Sequence, residues 1–181
     1  MTKRTRDEGF GRAYKHKYGP GWALIEEWLK EAKNSYEILP CDEGRAQSEL
    51  LGLQVTTRSP MGALVYGCGG IVIDGGWLRV LGSGCERMKR GIYSFNLGKS
   101  VSEAGQMPSY LLVADDILGG FFAINGGAFR GKAGNVFYCA PDSSKLEDTQ
   151  LSYSRFFTGR FAVIYLNFTS FTAGTVGGAR M

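Results

Sequence analysis

The spacing of apolar and polar residues predicts two helices in the first third of the chain. After Pro20, large apolar residues recur every three or four positions from Trp22 to Ala32, and charged residues lie between them. This periodicity is typical of an amphipathic helix that buries one face. A second, shorter helix is expected over residues 44–53, where Ala46, Leu50 and Leu53 fall on one side.

From Val55 onward, shorter apolar runs predict strands, at residues 63–66, 69–73, 77–81, 110–114, 121–124 and 135–140. Turns rich in glycine separate them, above all Asp74-Gly75-Gly76, because glycine tolerates positive φ. Two further helices are expected, one over residues 85–97 and one beginning at 151–157. Hairpins dominate this order, so we predict one α+β domain over residues 19–157, with a mainly antiparallel sheet flanked by helices.

Alternation along the predicted strands identifies a candidate core, since successive strand residues point to opposite faces. Eight apolar side chains at alternating positions are expected to be buried: Ile71, Ile73, Leu78, Val80, Leu112, Phe122, Ile124 and Phe137.

Charge is distributed unevenly along the chain. The net charge is +4, and residues 1–18 account for it, with six basic and two acidic side chains. The remaining residues carry 15 basic and 15 acidic side chains. We expect residues 1–18 to be a basic, flexible tail. Weak nucleic-acid binding through this tail is an alternative function, but the balanced body does not favour nucleic acid as the main partner.

Other compositional signals narrow the expected chemistry. No apolar run is long enough to cross a membrane, and residues 1–18 lack the apolar segment of a secretion signal, so a cytoplasmic location is expected. The four cysteines are widely spaced, which favours free thiols and no metal site. The one histidine, His16, lies in the predicted tail, where an imidazole is poorly held for catalysis. We expect no cofactor.

Candidate binding residues come from the strands and their ends. Trp77 and Arg79 alternate with apolar neighbours, so they are expected to share one sheet face. These residue types dominate protein interfaces. Asp115 and Asp116 are expected between two strands, where aspartate forms turns, and Asn125 begins a glycine-rich loop. The sequence thus favours a non-enzymatic protein-binding module.

An enzyme that uses carboxylate or cysteine chemistry is the second hypothesis. Its candidates are Asp115, Asp116, Cys68 and Cys85. Adjacent strand residues point to opposite faces, so the two aspartates would not form one acid–base pair. Cys85 precedes a predicted helix and has Arg87 nearby, which would favour its thiolate.

Three long phrases carry a family resemblance. They are LQVTTRSPMGALVY from residue 53, GGIVIDGGWLRVLGSG from residue 69 and LLVADDILGGFFAINGGAF from residue 111. Together with the Trp28 helix, the chain from about Pro20 to Phe157 closely resembles the bacterial family called domain of unknown function 2625. That family name implies no particular reaction.

The chain is more distantly similar to the SUKH superfamily. The resemblance lies in the Trp-bearing first helix, the Leu39-Pro40 turn, and a closing unit of two strands and a helix up to Phe157. It implies a SUKH-like binding scaffold, whose members include immunity proteins that block bacterial toxins. A protein toxin is therefore the expected partner.

The last residues, 158–181, do not resemble the rest of the chain. No acidic residue follows Asp148, and threonines and glycines interrupt the expected helix. When Phe161 to Arg180 is written in suitable synonymous codons, reading from the third base of the first codon gives CGDLSEFYQLYGRYGWRG. That string is amphipathic and resembles a family segment of the form GDLxxFY followed by a Trp. We therefore predict a reading-frame error in residues 158–181, and poor packing of residues 161–181.

Overall fold

A seven-stranded antiparallel sheet organises the parts of the chain that the computed structural model describes, residues 20–32, 34–142 and 146–157. The strands are β1 (Tyr36–Leu39), β2 (Gly70–Ile73), β3 (Leu78–Leu81), β4 (Tyr110–Asp116), β5 (Phe121–Asn125), β6 (Asn135–Cys139) and β7 (Leu146–Ser152). The α-helices of these parts are α1 (Pro20–Glu31), α2 (Glu43–Leu53), α3 (Pro60–Gly67), α4 (Ile92–Asn96) and α5 (Tyr153–Phe157).

Each strand pairs with the next strand in the sequence, so the sheet is a meander with helices inserted between its strands. Helices α2 and α3 lie between β1 and β2, and α4 lies between β3 and β4. This architecture confirms the predicted single α+β domain with an antiparallel sheet. The predicted tail at residues 1–18 and the atypical segment at 158–181 lie outside the described residues.

The main core joins helix α1 to the sheet. Trp22 and Ile25 of α1 are buried in the same apolar cluster as Ile71 and Val80. Trp28 stacks on Phe157 of α5, with ring centroids 6.0 Å apart. The apolar stripe predicted from the sequence is thus a packing surface.

Six of the eight predicted core side chains are buried, and the other two, Leu112 and Ile124, are only partly buried. For Leu112, the difference follows from an irregularity in β4, where the pairing with β5 shifts between Leu112 and Ala114. A bulge inserts one residue and moves the side chains that follow to the other face. Leu112 is therefore not on the same face as Ala114, which pairs with the core residue Phe122, and Leu111 is buried in its place.

The predicted strand at residues 63–66 is wrong, because these residues lie in helix α3. Ser59 precedes the helix with extended backbone, and its hydroxyl accepts a hydrogen bond from the Gly62 amide at 3.1 Å. Pro60 then occupies the first helical turn, where its missing N–H costs nothing. A serine followed by proline is a helix start signal, and here it outweighs the strand-like apolar run.

The predicted helix at residues 85–97 is also largely wrong, since only α4, Ile92–Asn96, is helical. Gly84 has a positive φ of 79°, and the Cys85 amide donates to the Met88 carbonyl at 2.8 Å. The Ile92 amide donates back to the Gly82 carbonyl at 3.0 Å. These bonds hold residues 85–91 as a compact loop over the sheet.

The strands β1 and β7 were not predicted. β1 is four residues long and lies where the sequence indicates a turn before Pro40. β7 is rich in polar residues and takes the first part of the helix predicted from residue 151, so α5 begins at Tyr153. Both are the outermost strands of the described sheet, where apolar alternation is weakest.

Candidate functional site

Asp115 lies at the centre of a charge cluster on the sheet. Its register partner on β3 is Arg79, whose Nε donates to Asp115 Oδ1 at 2.6 Å and whose Nη2 donates to the Asp116 carbonyl at 2.9 Å. Arg90, from the loop before α4, donates to Asp115 Oδ2. The carboxylate is 4% exposed and the two arginine side chains are 36% and 33% exposed. One buried carboxylate thus holds two half-buried guanidinium groups.

Asp116 has a different set of partners. Its Oδ1 accepts the Leu118 and Gly120 amides at 2.9 and 2.8 Å, so it forms the turn that joins β4 to β5. Its Oδ2 accepts the Tyr138 hydroxyl at 2.7 Å. Burial, and then this hydrogen bond, raise the pKa of Tyr138 above its ordinary value.

Both aspartates belong to strand β4 rather than to the loop where the sequence indicated them. They contact separate groups, since Asp115 bonds to arginines and Asp116 to turn amides and a tyrosine. The two carboxylates are therefore not assembled around one reaction centre. Asp116 has the turn-forming role expected of aspartate, whereas Asp115 is an ion-pair partner.

Trp77 does not continue the alternation of β3. Its backbone is helical, with φ −59° and ψ −42°, and the strand begins at Leu78. Strand alternation therefore does not place Trp77 on the same sheet face as Arg79, as was expected from the sequence. The Trp77 side chain is 42% exposed, and its carbonyl accepts the Ile117 amide at 3.0 Å.

That hydrogen bond links Trp77 to two further exposed apolar residues. Ile117 and Leu118, in the β4–β5 turn, are 54% and 62% exposed. We call Trp77, Ile117 and Leu118 the apolar tip. Neither Ile117 nor Leu118 was expected from the sequence to be a binding residue, although two large aliphatic residues before Gly119-Gly120 are an unusual turn composition.

The buried Asn125 side chain forms hydrogen bonds to the loop that follows it. It is 1% exposed, and its Oδ1 accepts the Gly127 and Phe129 amides at 2.9 and 3.0 Å. Its Nδ2 donates to the Phe129 carbonyl at 3.0 Å. These bonds organise the glycine-rich loop after β5, so the side chain is positioned to shape that loop rather than to meet a ligand directly.

None of the four cysteines belongs to a disulfide. Cys68 is fully buried, and burial raises its pKa far above the ordinary value, which disfavours a thiolate. Cys85 is 5% exposed. Residues 86–91 separate it from α4, so it does not lie at the helix N-terminus that was expected from the sequence.

A basic cavity of about 340 Å³ lies beside the charge cluster of Asp115, Arg79 and Arg90. Four cationic side chains line it: Arg79, Arg87, Lys89 and Arg90. Three of them come from residues 85–91, the loop that the sequence analysis interpreted as helix. Three basic residues within four positions, at 87, 89 and 90, were the available signal. The name basic cavity is used below for this space.

Over the described ranges 20–32, 34–142 and 146–157, three or more His, Cys, Asp or Glu side chains are nowhere grouped to hold a metal ion. Within the same ranges, none of the helices has the length and apolar character to cross a membrane.

The fold and these surfaces define an α+β protein built on a seven-stranded meander. The chain belongs to the family described as "Protein of unknown function DUF2625", which matches residues 14–168. The match begins within the predicted basic tail and continues past Phe157. The SUKH similarity gains no support from known structures, since no solved structure gives a significant match.

Two curated relatives match over 135 residues, 75% of this chain. An "Uncharacterized protein" of Haemophilus influenzae is 42% identical, and the match covers 59% of its length. The "Putative uncharacterized protein YbfG" of Escherichia coli K12 is 44% identical, with 61% of its length covered. The chain thus spans about three fifths of the length of these relatives.

Proposed function

We propose that this chain is a non-enzymatic protein-binding module of the immunity-protein type, which binds a bacterial protein toxin. The observation that carries the proposal is the apolar tip next to the Arg79–Asp115 pair. An exposed tryptophan with aliphatic neighbours and a flanking arginine has the composition of an interface hot spot, where a few large side chains supply most of the binding energy.

Preorganisation of the apolar tip supports the same proposal. The Ile117 amide bonds to the Trp77 carbonyl, and Asp116 accepts the amides of Leu118 and Gly120. The turn is therefore held in one shape before any partner arrives. Binding by such a surface loses less conformational entropy than binding by a loop that must first be ordered.

A cytoplasmic location forms part of the proposal. It fits four cysteines that form no disulfide, because disulfides form mainly in oxidising compartments. Cell fractionation with an antibody against the full chain tests it, and recovery in the periplasmic or membrane fraction would count against it.

The test of function uses the products of the genes that flank this one. Each is expressed alone and together with the full chain, and bacterial growth and complex formation are measured. We expect one product to arrest growth, the chain to restore it, and the two to form a stable complex. If no flanking product arrests growth or binds the chain, the immunity-type proposal fails.

Matched variants locate the interface in that complex. Trp77→Ala and Leu118→Ser should each weaken binding by about tenfold or more, as expected for hot-spot truncation. Leu51→Ser and Met107→Ser are the controls, since these side chains are 68% and 90% exposed and lie outside the apolar tip. Equal losses in the tip and control variants would rule out the apolar tip as the binding surface.

The enzyme hypothesis has its remaining candidate in Cys85. A reactive thiolate would be alkylated faster than a free cysteine. We expect the Cys85 thiol in the folded chain to react no faster than that of free cysteine. Faster alkylation, traced to Cys85 by peptide mass mapping, would favour the enzyme hypothesis over the binding module.

A further inference from the structure

The basic cavity lies on the face of the sheet that carries Val72 and Arg79, and the core side chains of Leu39 and Met88 contribute to its lining. Val72 and Arg79 line it and are register partners on β2 and β3. Their sequence neighbours Ile71, Ile73 and Val80 are buried on the core side. The volume of about 340 Å³ falls within the range of small-ligand sites.

The charged side chains that line this cavity are all positive. The bonded carboxylates are Asp115, shared by Arg79 and Arg90, and Glu37, which accepts two hydrogen bonds from Arg87. Lys89 adds a fourth cation to the lining, and these two carboxylates do not line the cavity themselves. The nearby Asp74 carboxylate accepts the backbone amide and the hydroxyl of Ser35, at 3.0 and 3.1 Å.

The cations of the cavity are held in different ways. Asp115 forms ion pairs with the guanidinium groups of Arg79 and Arg90, so both groups are held in place where they line the cavity. Arg87 and Glu37 form an exposed pair, 61% and 54% exposed. Exposed ion pairs are weak, so a competing anion can take Arg87 from Glu37. The pair nonetheless lowers the pKa of Glu37, chiefly through the hydrogen bond from Arg87.

Access to the cavity is open at the turn between β2 and β3. Gly75 and Gly76 line this side, and a Cβ atom added at either position would meet nothing within 4 Å. A ligand can therefore approach the backbone here without displacing a side chain.

We infer that the basic cavity binds a small multivalent oxyanion, a molecule that carries two or more charges as phosphate or carboxylate groups. Guanidinium groups match both kinds of group through paired N–H donors, and a lining with four cationic side chains and no carboxylate favours a ligand with more than one negative charge. This inference is independent of the proposed toxin partner, because it rests on the basic cavity and not on the apolar tip.

Isothermal titration calorimetry of the full chain tests the inference, with pyrophosphate and citrate as the two probes. We expect one-to-one binding of at least one probe at about 20 mM salt, and weaker binding as salt rises. Preference for pyrophosphate would assign phosphate chemistry to the ligand, and preference for citrate would assign carboxylate chemistry. Failure of both probes to bind at about millimolar concentration overturns the inference.

A charge-matched pair of variants separates the cavity from general attraction. The double variant Arg87→Gln, Lys89→Gln should weaken binding by about tenfold. The control, Arg58→Gln with Lys132→Gln, removes the same charge from exposed positions that do not line the cavity. It should change binding less than about twofold. Equal losses in the two doubles would overturn the inference.

A variant with the opposite expected effect completes the design. Glu37→Gln removes the carboxylate that competes for Arg87, so we expect binding to tighten by about two- to fivefold. Glu103→Gln, at an exposed position outside the cavity, makes the same charge change and should have a smaller effect. If Glu37→Gln weakens binding or has no effect beyond that of Glu103→Gln, Arg87 is not a ligand-binding residue and the inferred site is wrong.

Discussion

Neighbouring residues of the same type have separate roles in this protein. Asp115 and Asp116 are adjacent on β4, yet one pairs with two arginines and the other forms a turn and accepts the Tyr138 hydroxyl. The difference arises from the sheet, which directs alternate side chains to opposite faces. A pair of aspartates in sequence therefore says little about chemistry until their strand neighbours are known.

The first residue-scale prediction concerns the loss of the Asp115 carboxylate. Asp115→Ala leaves Arg79 and Arg90 half-buried without their shared partner, so the free energy of unfolding should fall by about 2–4 kcal/mol. Partial exposure of the arginines keeps this below the cost of breaking a fully buried pair. Urea unfolding measures it, with the exposed Asp142→Ala as control. A loss no larger than that of the control would contradict the prediction.

The second residue-scale prediction is a pH dependence that comes from Glu49. This side chain is 5% exposed and accepts the amides of Tyr93 and Ser94 at the start of α4. Burial raises the pKa of Glu49 above its ordinary 4.5, and the hydrogen bonds from Ser94 oppose this. From about pH 4.5 up to the raised pKa, the folded state binds more protons than the unfolded state. The free energy of unfolding that Glu49 contributes therefore falls as pH rises through this window.

Glu49→Gln removes this titration while keeping an oxygen for the amides. Relative to the unmodified chain, the variant should gain free energy of unfolding as pH rises from about 4.5 toward 7. Urea unfolding at several pH values checks the sign, with the exposed Glu103→Gln as reference. A difference that stays constant with pH, or that moves in the opposite direction, would count against a raised pKa.

Among the secondary-structure elements, those with strong apolar periodicity could be predicted from the sequence. A short apolar run could not be assigned by periodicity alone, and its conformation depends on the helix start signal that precedes it. The amphipathic helix α1 and the β2–β3 hairpin follow directly from sequence spacing. The apolar run in α3 is too short for periodicity to separate helix from strand, and the Ser59 cap decided the outcome. β1 and β7 carry little apolar alternation, and their strand conformation depends on pairing with β2 and β6.

Two glycines in helices provide the element-scale prediction. A Cβ atom at Gly67, the last residue of α3, would lie 2.2 Å from Cε3 of Trp22, so Gly67→Ala should cost about 1–3 kcal/mol through overpacking. At Gly44, near the start of α2, the nearest atom would be Asp42 Oδ1 at 3.5 Å. Gly44→Ala should therefore stabilise the chain, by up to about 1 kcal/mol. Thermal unfolding of both variants checks the opposite signs, and destabilisation by both would refute the packing argument.

At the scale of the whole molecule, the candidate surfaces arise from residues that are far apart in the sequence. The basic cavity joins β2 and β3 to the loop before α4, and Asp115 reaches it from β4. The basic cavity could not be predicted from the balanced charge of residues 19–181, because a net charge does not show which charged residues lie close together in the fold. Arg79 and Asp115 were identified from sequence as separate candidates, and only the strand register brings them together.

The last prediction concerns the reading frame of residues 158–181, which lie outside the described residues. The family match ends at residue 168, inside this segment. The printed segment is rich in Val, Ile, Phe and Thr and holds no acidic residue, a composition that favours aggregation when exposed. The shifted frame encodes an amphipathic segment with acidic residues and a tryptophan, which is typical of a helix that packs on a core.

Resequencing the gene and comparing both forms of the chain test this prediction. We expect the gene to carry a frame change near Phe161. Burial of even two more large apolar side chains would add about 3–6 kcal/mol, so the restored chain should melt higher by on the order of 10 °C. The shifted-frame chain should also remain soluble at concentrations where the chain with the present residues 158–181 aggregates. A gene that encodes residues 158–181 as printed, together with an equal or lower melting temperature for the shifted-frame chain, would show that the printed frame is the native one.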